Sequence, residues 1–172
     1  MQLNNVRLSY PNIFRASAFA PGQDEKYSAM FIMEKGSTAH QEMEAAIAEA
    51  IEEKWPKKPP GNLKICLRDG EEKDSDGFGP GVVFFNASSK KRPGVFDRDT
   101  SALVEDDGKP YAGCYVHAQI NVWAQDNAFG KRINASLEGI QFYKDGEGFG
   151  GGGRASQASD FAVLDDDDDF LD

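Results

Sequence analysis

Cysteine, histidine and long apolar runs are all scarce in this sequence, and each shortage excludes a class of protein. The 172 residues include 2 cysteines, Cys66 and Cys114, and 2 histidines, His40 and His117. These are too few and too isolated for a disulfide scaffold or a zinc site, so we expect the cysteines to be small buried residues in a reducing compartment. No stretch approaches the ~20 apolar residues of a membrane-spanning helix, and no charged start precedes an apolar run at the N-terminus. The sequence therefore predicts neither a membrane protein nor a secreted one.

Positive charge is also scarce, but its distribution matters more than its total. The formal net charge is -10, of which residues 154 to 172 contribute -6, so the first 153 residues carry only -4. Charges further away than about 10 Å are screened at ordinary salt, so a local basic surface on this nearly neutral part can still decide what it binds. The acidity of the whole chain therefore does not exclude a nucleic-acid partner.

Apolar residues at every second position, and runs rich in β-branched and aromatic residues, predict a mainly β domain. The predicted strands cover residues 5 to 10, 26 to 33, 63 to 68 and 82 to 89, and the two arms of a long hairpin between Gly113 and Tyr143. Pro11 is expected to end the first strand. In the hairpin, the apolar phase shifts at Gly139, which predicts a β-bulge.

One helix is predicted after the second strand. Thr38 and Gln41 fit a capping box, Met43 and Ile47 recur at helical spacing, and Pro56 stops the helix. Its polar face is almost all glutamate, which favours a position away from any phosphate. Several strands, a long hairpin with a glycine kink and one inserted helix favour an antiparallel barrel. The oligonucleotide/oligosaccharide-binding (OB) barrel is the simplest such fold.

Composition divides the chain into three predicted parts. Residues 1–145 form the OB-like domain, residues 146–159 a glycine-rich flexible linker, and residues 160–172 an acidic tail. The tail carries the partner-binding candidates Asp165, Asp166, Asp167, Asp168, Asp169 and Phe170. A run of like charges repels itself, which predicts disorder. A tail that only solubilises has no need of apolar residues such as Phe170, so we expect this one to bind a partner.

Enzyme and metal motifs are weak in this sequence. The segment EKDSDG (72–77) resembles the start of a calcium loop, but Val83 stands where the bidentate glutamate is needed. Residues 146–151 satisfy G-x-G-x-x-G, yet no helix follows to receive a phosphate. Asp97 and Asp99 could hold magnesium for phosphoryl transfer, although acidic runs of this kind are more often exposed turns. We therefore predict no catalytic residue, no metal and no cofactor.

A basic cluster surrounded by polar and aromatic residues is the main functional signal. Cations follow a nucleic-acid backbone, amides and hydroxyls donate to phosphate, and aromatic rings stack on bases. The predicted DNA-binding residues are Asn86, Ser88, Ser89, Lys90, Lys91, Arg92 and Phe96, with Tyr115, Trp123, Lys131 and Arg132 from the hairpin; Phe84 and Phe85 also flank the cluster. Three neighbouring cations in a loop are also common on a solvated surface. The pattern alone therefore does not decide between nucleic-acid binding and an ordinary surface loop.

Three segments and the acidic end resemble a phage family of single-stranded DNA-binding proteins. The segments are LSYPNIF (8–14), FFNASSKKRPGVFDRD (84–99) and residues 113–153, with ASSKKRP as the most specific part. The resemblance implies an OB-type core without catalytic activity that coats single strands cooperatively during phage DNA replication, in the cytoplasm of an infected bacterial host. It also implies a tail that recruits replication or recombination proteins and competes with DNA. Many tails of this family end on phenylalanine, whereas Leu171 and Asp172 follow Phe170 here.

The sequence thus predicts a single-stranded DNA-binding protein of phage replication and recombination, which binds largely without sequence preference. Self-association on DNA is a further expectation. Two alternatives remain at this point. The first is a protein-protein adaptor or virion component whose acidic tail mimics nucleic acid. The second is a magnesium-dependent nuclease that uses Asp97 and Asp99.

Overall fold

Strands dominate the computed structural model, which describes residues 1–18, 20–149 and 161–164. The strands are β1 Gln2–Ser17, β2 Lys26–Glu34, β3 Lys64–Ile65, β4 Arg68–Asp69, β5 Val82–Ser89, β6 Gly94–Phe96, β7 Tyr115–Asn127 and β8 Gly130–Lys144. The helix α1 spans Thr38–Lys54. The predicted tail residues Asp165 to Phe170 lie outside the described residues.

Five of the strands close into a barrel in the order β1, β2, β5, β8, β7 and back to β1. Neighbours in this ring are antiparallel except β5 and β8, which run parallel and meet at Ser88 and Ser136. The short strands β3 and β6 pair with β8, and the short strand β4 pairs with β5. A small five-stranded barrel of this kind is OB-like, so the predicted fold, mainly β with one inserted helix, is confirmed.

The barrel interior is filled by the apolar phase of each strand, joined by one side of α1. In β7, Val116, Ala118 and Ile120 are fully buried. Met43 and Ile47 of α1 pack into the same core, and the helix contacts β1 and β7. The apolar side of α1 faces the barrel interior, and Trp123 on the outward face of the hairpin is 40% exposed. No helix in the described ranges combines the length and apolar character that a bilayer crossing requires.

The predicted bulge in the long hairpin is confirmed. Gln119 pairs with Gly139, but the next residue of β7, Ile120, pairs with Leu137, so Glu138 is the extra residue. The buried phase shifts accordingly from Leu137 to Ile140. The bulge keeps both halves of β8 facing the core.

The prediction that Pro11 ends the first strand is wrong. β1 continues through Pro11 to Ser17, with the pairing to β2 interrupted between Ser9 and Asn12. A proline is tolerated where the ladder is interrupted, because its missing N–H has no partner there. Tyr10 sits in this interruption with a φ of 46° and is half exposed.

Two further local predictions are wrong. The cap of α1 is Ser37, whose hydroxyl accepts from the His40 amide, while the Gln41 side chain donates to the Gly36 carbonyl. Ser37 rather than Thr38 is in the extended conformation that a cap requires. The segment LKICLR does not form one strand, because its two ends pair with different strands as β3 and β4.

Candidate nucleic-acid interface

An open groove of about 630 Å³ lies on the outward face of β5 and β8. It exists because the chain after α1 folds back onto the barrel, where β3 pairs with β8 and β4 pairs with β5. We call it the polar groove, after its polar and charged lining side chains: Lys64, Arg68, Glu72, Asn86, Arg132 and Asn134.

Cations outnumber carboxylates in the polar groove, although the chain as a whole is acidic. Lys64 and Arg132 are register partners on β3 and β8, and both are exposed. Neither makes an ion pair with any residue that the structure describes. Arg68 pairs with Glu72 at 3.5 Å. Like charges placed opposite each other on neighbouring strands are destabilising, so this arrangement favours an anion bound between them.

Trp123 supplies an accessible aromatic ring beside the groove. It is the register partner of Asn134, which lines the groove, and it is 40% exposed. Its indole N–H donates to the Ser136 hydroxyl at 2.9 Å. This hydrogen bond satisfies the polar edge of the ring and holds it in place, which leaves the ring available for stacking on a base.

The structure brings four predicted residues together at this groove. Asn86 and Arg132 line it, Trp123 stands beside it, and Ser88 continues the outward face of β5 to its pairing with Ser136. The loop with Lys90, Lys91 and Arg92 follows directly at the end of β5 and is exposed.

The first part of this basic loop is engaged by other residues. Lys90 lies 3.4 Å from Asp24, and the Ser89 hydroxyl accepts from the Lys91 amide at 3.0 Å. Lys91 and Arg92 extend the positive surface beyond the groove. The loop therefore adds positive charge at the edge of the polar groove and not inside it.

Some of the predicted residues do not lie on this surface. Phe84 and Phe85 are 1% and 0% exposed, so the hypothesis that they offer stacking faces beside the basic loop is wrong. Phe85 packs inside the barrel, and Phe84 is covered on its outer side. Lys131 is the register partner of Asp126, and strand alternation turns it to the face opposite Arg132.

Phe96 and Tyr115 are far from the polar groove. Phe96 lines a separate pocket of about 240 Å³ with His117 and Gln119. Tyr115 lies at the other end of β7 from Trp123, between two cations: Arg7 Cζ is 5.6 Å and Lys144 Nζ is 4.9 Å from its ring centroid.

Sequence reasoning missed Lys64, Arg68 and Asn134. The signal for Asn134 was present, because it alternates with the buried Ile133 and Ala135 in β8. Lys64 and Arg68 carry no comparable signal, since their place depends on how an irregular segment folds back onto two separate strands.

The carboxylates of the nuclease hypothesis are held by partners within the fold. Lys109 donates to Asp97 at 2.9 Å, and this hydrogen bond lowers the pKa of Asp97. The Ser101 hydroxyl donates to Asp99 at 2.6 Å and likewise lowers the pKa of Asp99. Within residues 1–18, 20–149 and 161–164, no three His, Cys, Asp or Glu side chains group together as metal ligands.

A family model described as the single-stranded-DNA-binding protein of Enterobacter phage Enc34 matches residues 1–171. The chain belongs to this family. The family resemblance noted in the sequence is thereby confirmed. A protein designated p50, from Acyrthosiphon pisum secondary endosymbiont phage 1, is 42% identical over 166 residues, which cover 91% of this chain and 89% of that protein.

Solved structures extend the likeness to three dimensions. The single-stranded DNA-binding protein from bacteriophage Enc34 in complex with ssDNA is 28% identical, with a TM-score of 0.70 over 85% of this chain and 86% of that chain. The single-stranded DNA-binding protein gp2.5 of bacteriophage T7 is 14% identical, with a TM-score of 0.55 over 96% of this chain and 97% of that one. The second likeness concerns the fold alone.

Proposed function

We propose that this phage protein binds single-stranded DNA in the polar groove and coats it largely without sequence preference during replication and recombination. The observation that carries the proposal is that Lys64 and Arg132 lie opposite each other beside the exposed ring of Trp123, and that neither has an ion-pair partner among the described residues. Cations, amides and one stacking ring contact features that every nucleotide has, so they give affinity with little discrimination between bases. The Enc34 relative whose structure contains ssDNA supports this proposal.

A titration with fluorescently labelled oligo-dT at two salt concentrations tests DNA binding. Because each phosphate contact releases counterions, log K is expected to fall against log salt by ~0.7 for each phosphate neutralised. We expect oligo-dA and mixed sequences to bind with similar affinity. If no oligonucleotide binds at low salt, the proposal is wrong and the adaptor alternative gains support.

We further propose that residues 160–172 act as an interaction tail on the linker 146–159, and that the protein has no catalytic role of its own. Tethering holds a polyanion near the cationic surface at an effective concentration on the order of mM. Such a tail competes with DNA at low salt, and DNA loading frees it to recruit replication or recombination proteins. Contacts between neighbouring copies on DNA would make the coating cooperative.

Deletion of residues 155–172 tests the tail. We expect tighter binding to oligo-dT at low salt, a gain that shrinks at high salt because salt screens the competitor, and loss of capture of a purified replication enzyme. A tail that only solubilises predicts aggregation of the truncated protein with unchanged affinity. Weaker DNA binding after truncation would instead indicate tail contacts between neighbouring copies.

A further inference from the structure

Phe149 occupies a slot on the outward face of the barrel, although it follows the last strand and belongs to the glycine-rich segment. It is 8% exposed and packs against Ile32, Phe84 and Ala112. Arg7 Cζ lies 4.3 Å from its ring centroid. We call the site formed by Arg7, Ile32, Phe84 and Ala112 the aromatic slot.

The residues before Phe149 are held mainly through polar contacts. Arg7 Nη2 donates to the Glu147 carbonyl at 2.8 Å, and the Phe149 amide donates to the Ala112 carbonyl at 3.1 Å. Tyr111 donates to Asp145 at 2.6 Å, and burial raises the pKa of Tyr111 to about 12, so it stays a donor. The Phe149 ring is thus the apolar contact of a strap whose other contacts are hydrogen bonds.

The Phe149 ring separates two open grooves. On one side is the polar groove, whose lining includes Phe84. On the other side is a second groove of about 590 Å³, whose lining includes Arg7, Ile32, Tyr115 and Lys144. Phe149 packs with Phe84 from the first lining and with Arg7 and Ile32 from the second, so its ring lies between the two grooves. Phe78 packs on Phe84 beside it.

The slot has the chemistry of a base-binding site. Tyr115, Arg7, Ile32 and Phe84 are successive register partners across β7, β1, β2 and β5. The second groove is lined by two cations, Arg7 and Lys144, and by one carboxylate, Glu34. Neither cation makes an ion pair in the described part of the chain. A guanidinium plane and aromatic groups stack on a nucleobase much as they stack on a phenyl ring.

We propose that the aromatic slot is a nucleobase subsite, which Phe149 fills in the free protein. A long single strand expels the ring, places a base on Arg7 and continues from the polar groove into the second groove. This inference rests on the proposed function. It adds a binding site and a contact that limits access to it, both distinct from the acidic tail. Gly148, directly before Phe149, has the backbone freedom that lifting the ring requires.

The first test compares Phe149→Ala with wild type on two lengths of oligo-dT, about 5 and about 15 nucleotides, near the ends of the range of OB-fold site sizes. The short oligonucleotide fits the polar groove alone, so its affinity should not change. Affinity for the long one should rise about 10-fold, because a base enters the slot without expelling a ring. Phe129→Ala is the matched control, since Phe129 is 86% exposed and lines neither groove. The proposal would be overturned if the variant bound both lengths with the affinity of wild type, or bound the long one more weakly than wild type does.

A second test uses the unaltered protein and does not depend on how the variant folds. In the free protein the Phe149 amide is hydrogen-bonded to Ala112, so its hydrogen exchange should be slow. Saturation with the long oligo-dT should speed this exchange while it slows exchange in β5 and β8. Greater protection of the Phe149 amide on DNA would show a purely structural strap and overturn the subsite, whereas DNA binding in the polar groove would stand. Absence of any oligo-dT binding would instead overturn the proposed function and the subsite with it.

Discussion

The outward face of the barrel has an open half and a covered half. The open half carries Arg132, Asn134 and Trp123, whose side chains reach solvent or the polar groove. The covered half carries Ile32 and Phe84, which are 4% and 1% exposed. Both halves belong to strands of the same barrel and follow the same alternation of side chains.

The two halves differ because residues from distant parts of the sequence cover one of them. Phe78, from the loop before β5, packs edge-on against Phe84 with ring centroids 4.9 Å apart, and Phe149 closes the slot from the other end of the sequence. An outward position on a strand therefore does not by itself make a binding surface. Access depends on which loops cross the face.

The largest expected effect comes from removing the cation pair of the open half. Lys64→Ala combined with Arg132→Ala should weaken oligo-dT binding about 100-fold at low salt, since each cation makes a charge-assisted contact to phosphate. The slope of log K against log salt should fall by about 1.4, which corresponds to two phosphates. A salt-dependent fluorescence anisotropy titration measures both.

The control for this pair is Lys57→Ala combined with Lys58→Ala. These two exposed lysines change the net charge equally and line neither groove. If the two double variants lose the same affinity, the polar groove has no special role and the effect is one of overall charge.

The next effect sharpens the comparison between the two ends of β7. Trp123→Ala should weaken binding of a short oligo-dT about 10-fold through loss of one stacked base, and Trp123→Phe should restore part of it. Tyr115→Ala should change the affinity for the short oligonucleotide little, because Tyr115 lies in the second groove. A larger loss for Tyr115→Ala than for Trp123→Ala would reverse the assignment of open and covered halves.

The elements that were predictable from sequence are those set by local alternation. Strand β5 was predicted with its correct bounds, and the phase shift near Gly139 identified the bulge, because burial on one face imposes the period. For the same reason, the alternation of apolar residues predicts that Trp123 and Arg132 point outward. The continuation of β1 past Pro11 was not, since it depends on a ladder interruption formed with β2.

The rest of the site depends on tertiary contacts between distant segments. Lys64 and Arg68 enter the polar groove because two dipeptides pair with β8 and β5. The sequence predicts Phe149 to be part of a glycine-rich linker, and its position on the barrel follows from its tertiary contacts with Arg7 and Ala112. No local period encodes either arrangement.

A smaller effect is expected from the basic loop at the edge of the open half. Replacement of Lys90, Lys91 and Arg92 by alanine should weaken oligo-dT binding about fivefold, with a smaller change in salt slope than the groove pair gives. The reason is that Lys90 already pairs with Asp24 and that the loop lies beyond the groove. The same titrations apply. A loss greater than that of the Lys64 and Arg132 variant would place the main DNA contact on the loop.

The smallest effect concerns stability, at His117 on the hairpin face, which lines neither groove. Burial, and then the nearby Arg98, lowers the pKa of His117, and its neutral Nδ1 accepts from the Asn5 amide at 3.1 Å. A lowered pKa in the folded state means that stability is full above the unfolded pKa, about 6.5, and is lost as pH falls through the folded value.

His117→Gln tests this pH dependence, because glutamine can accept the same hydrogen bond without titrating. Urea unfolding at pH 7.5 and pH 5.5 should show a smaller loss of stability for the variant than for wild type. Identical losses would assign the pH dependence to other groups.

The central claim is that single-stranded DNA lies in the polar groove of the open half. Photo-cross-linking of the full chain to an oligo-dT that carries 5-iodouracil, followed by mass spectrometry of the peptides, tests it most directly. We expect cross-links at Trp123 and on the β5 and β8 peptides that carry Asn86 and Asn134. Cross-links confined to the pocket of Phe96 and His117, with none on β5 or at the Trp123 side chain, would contradict it.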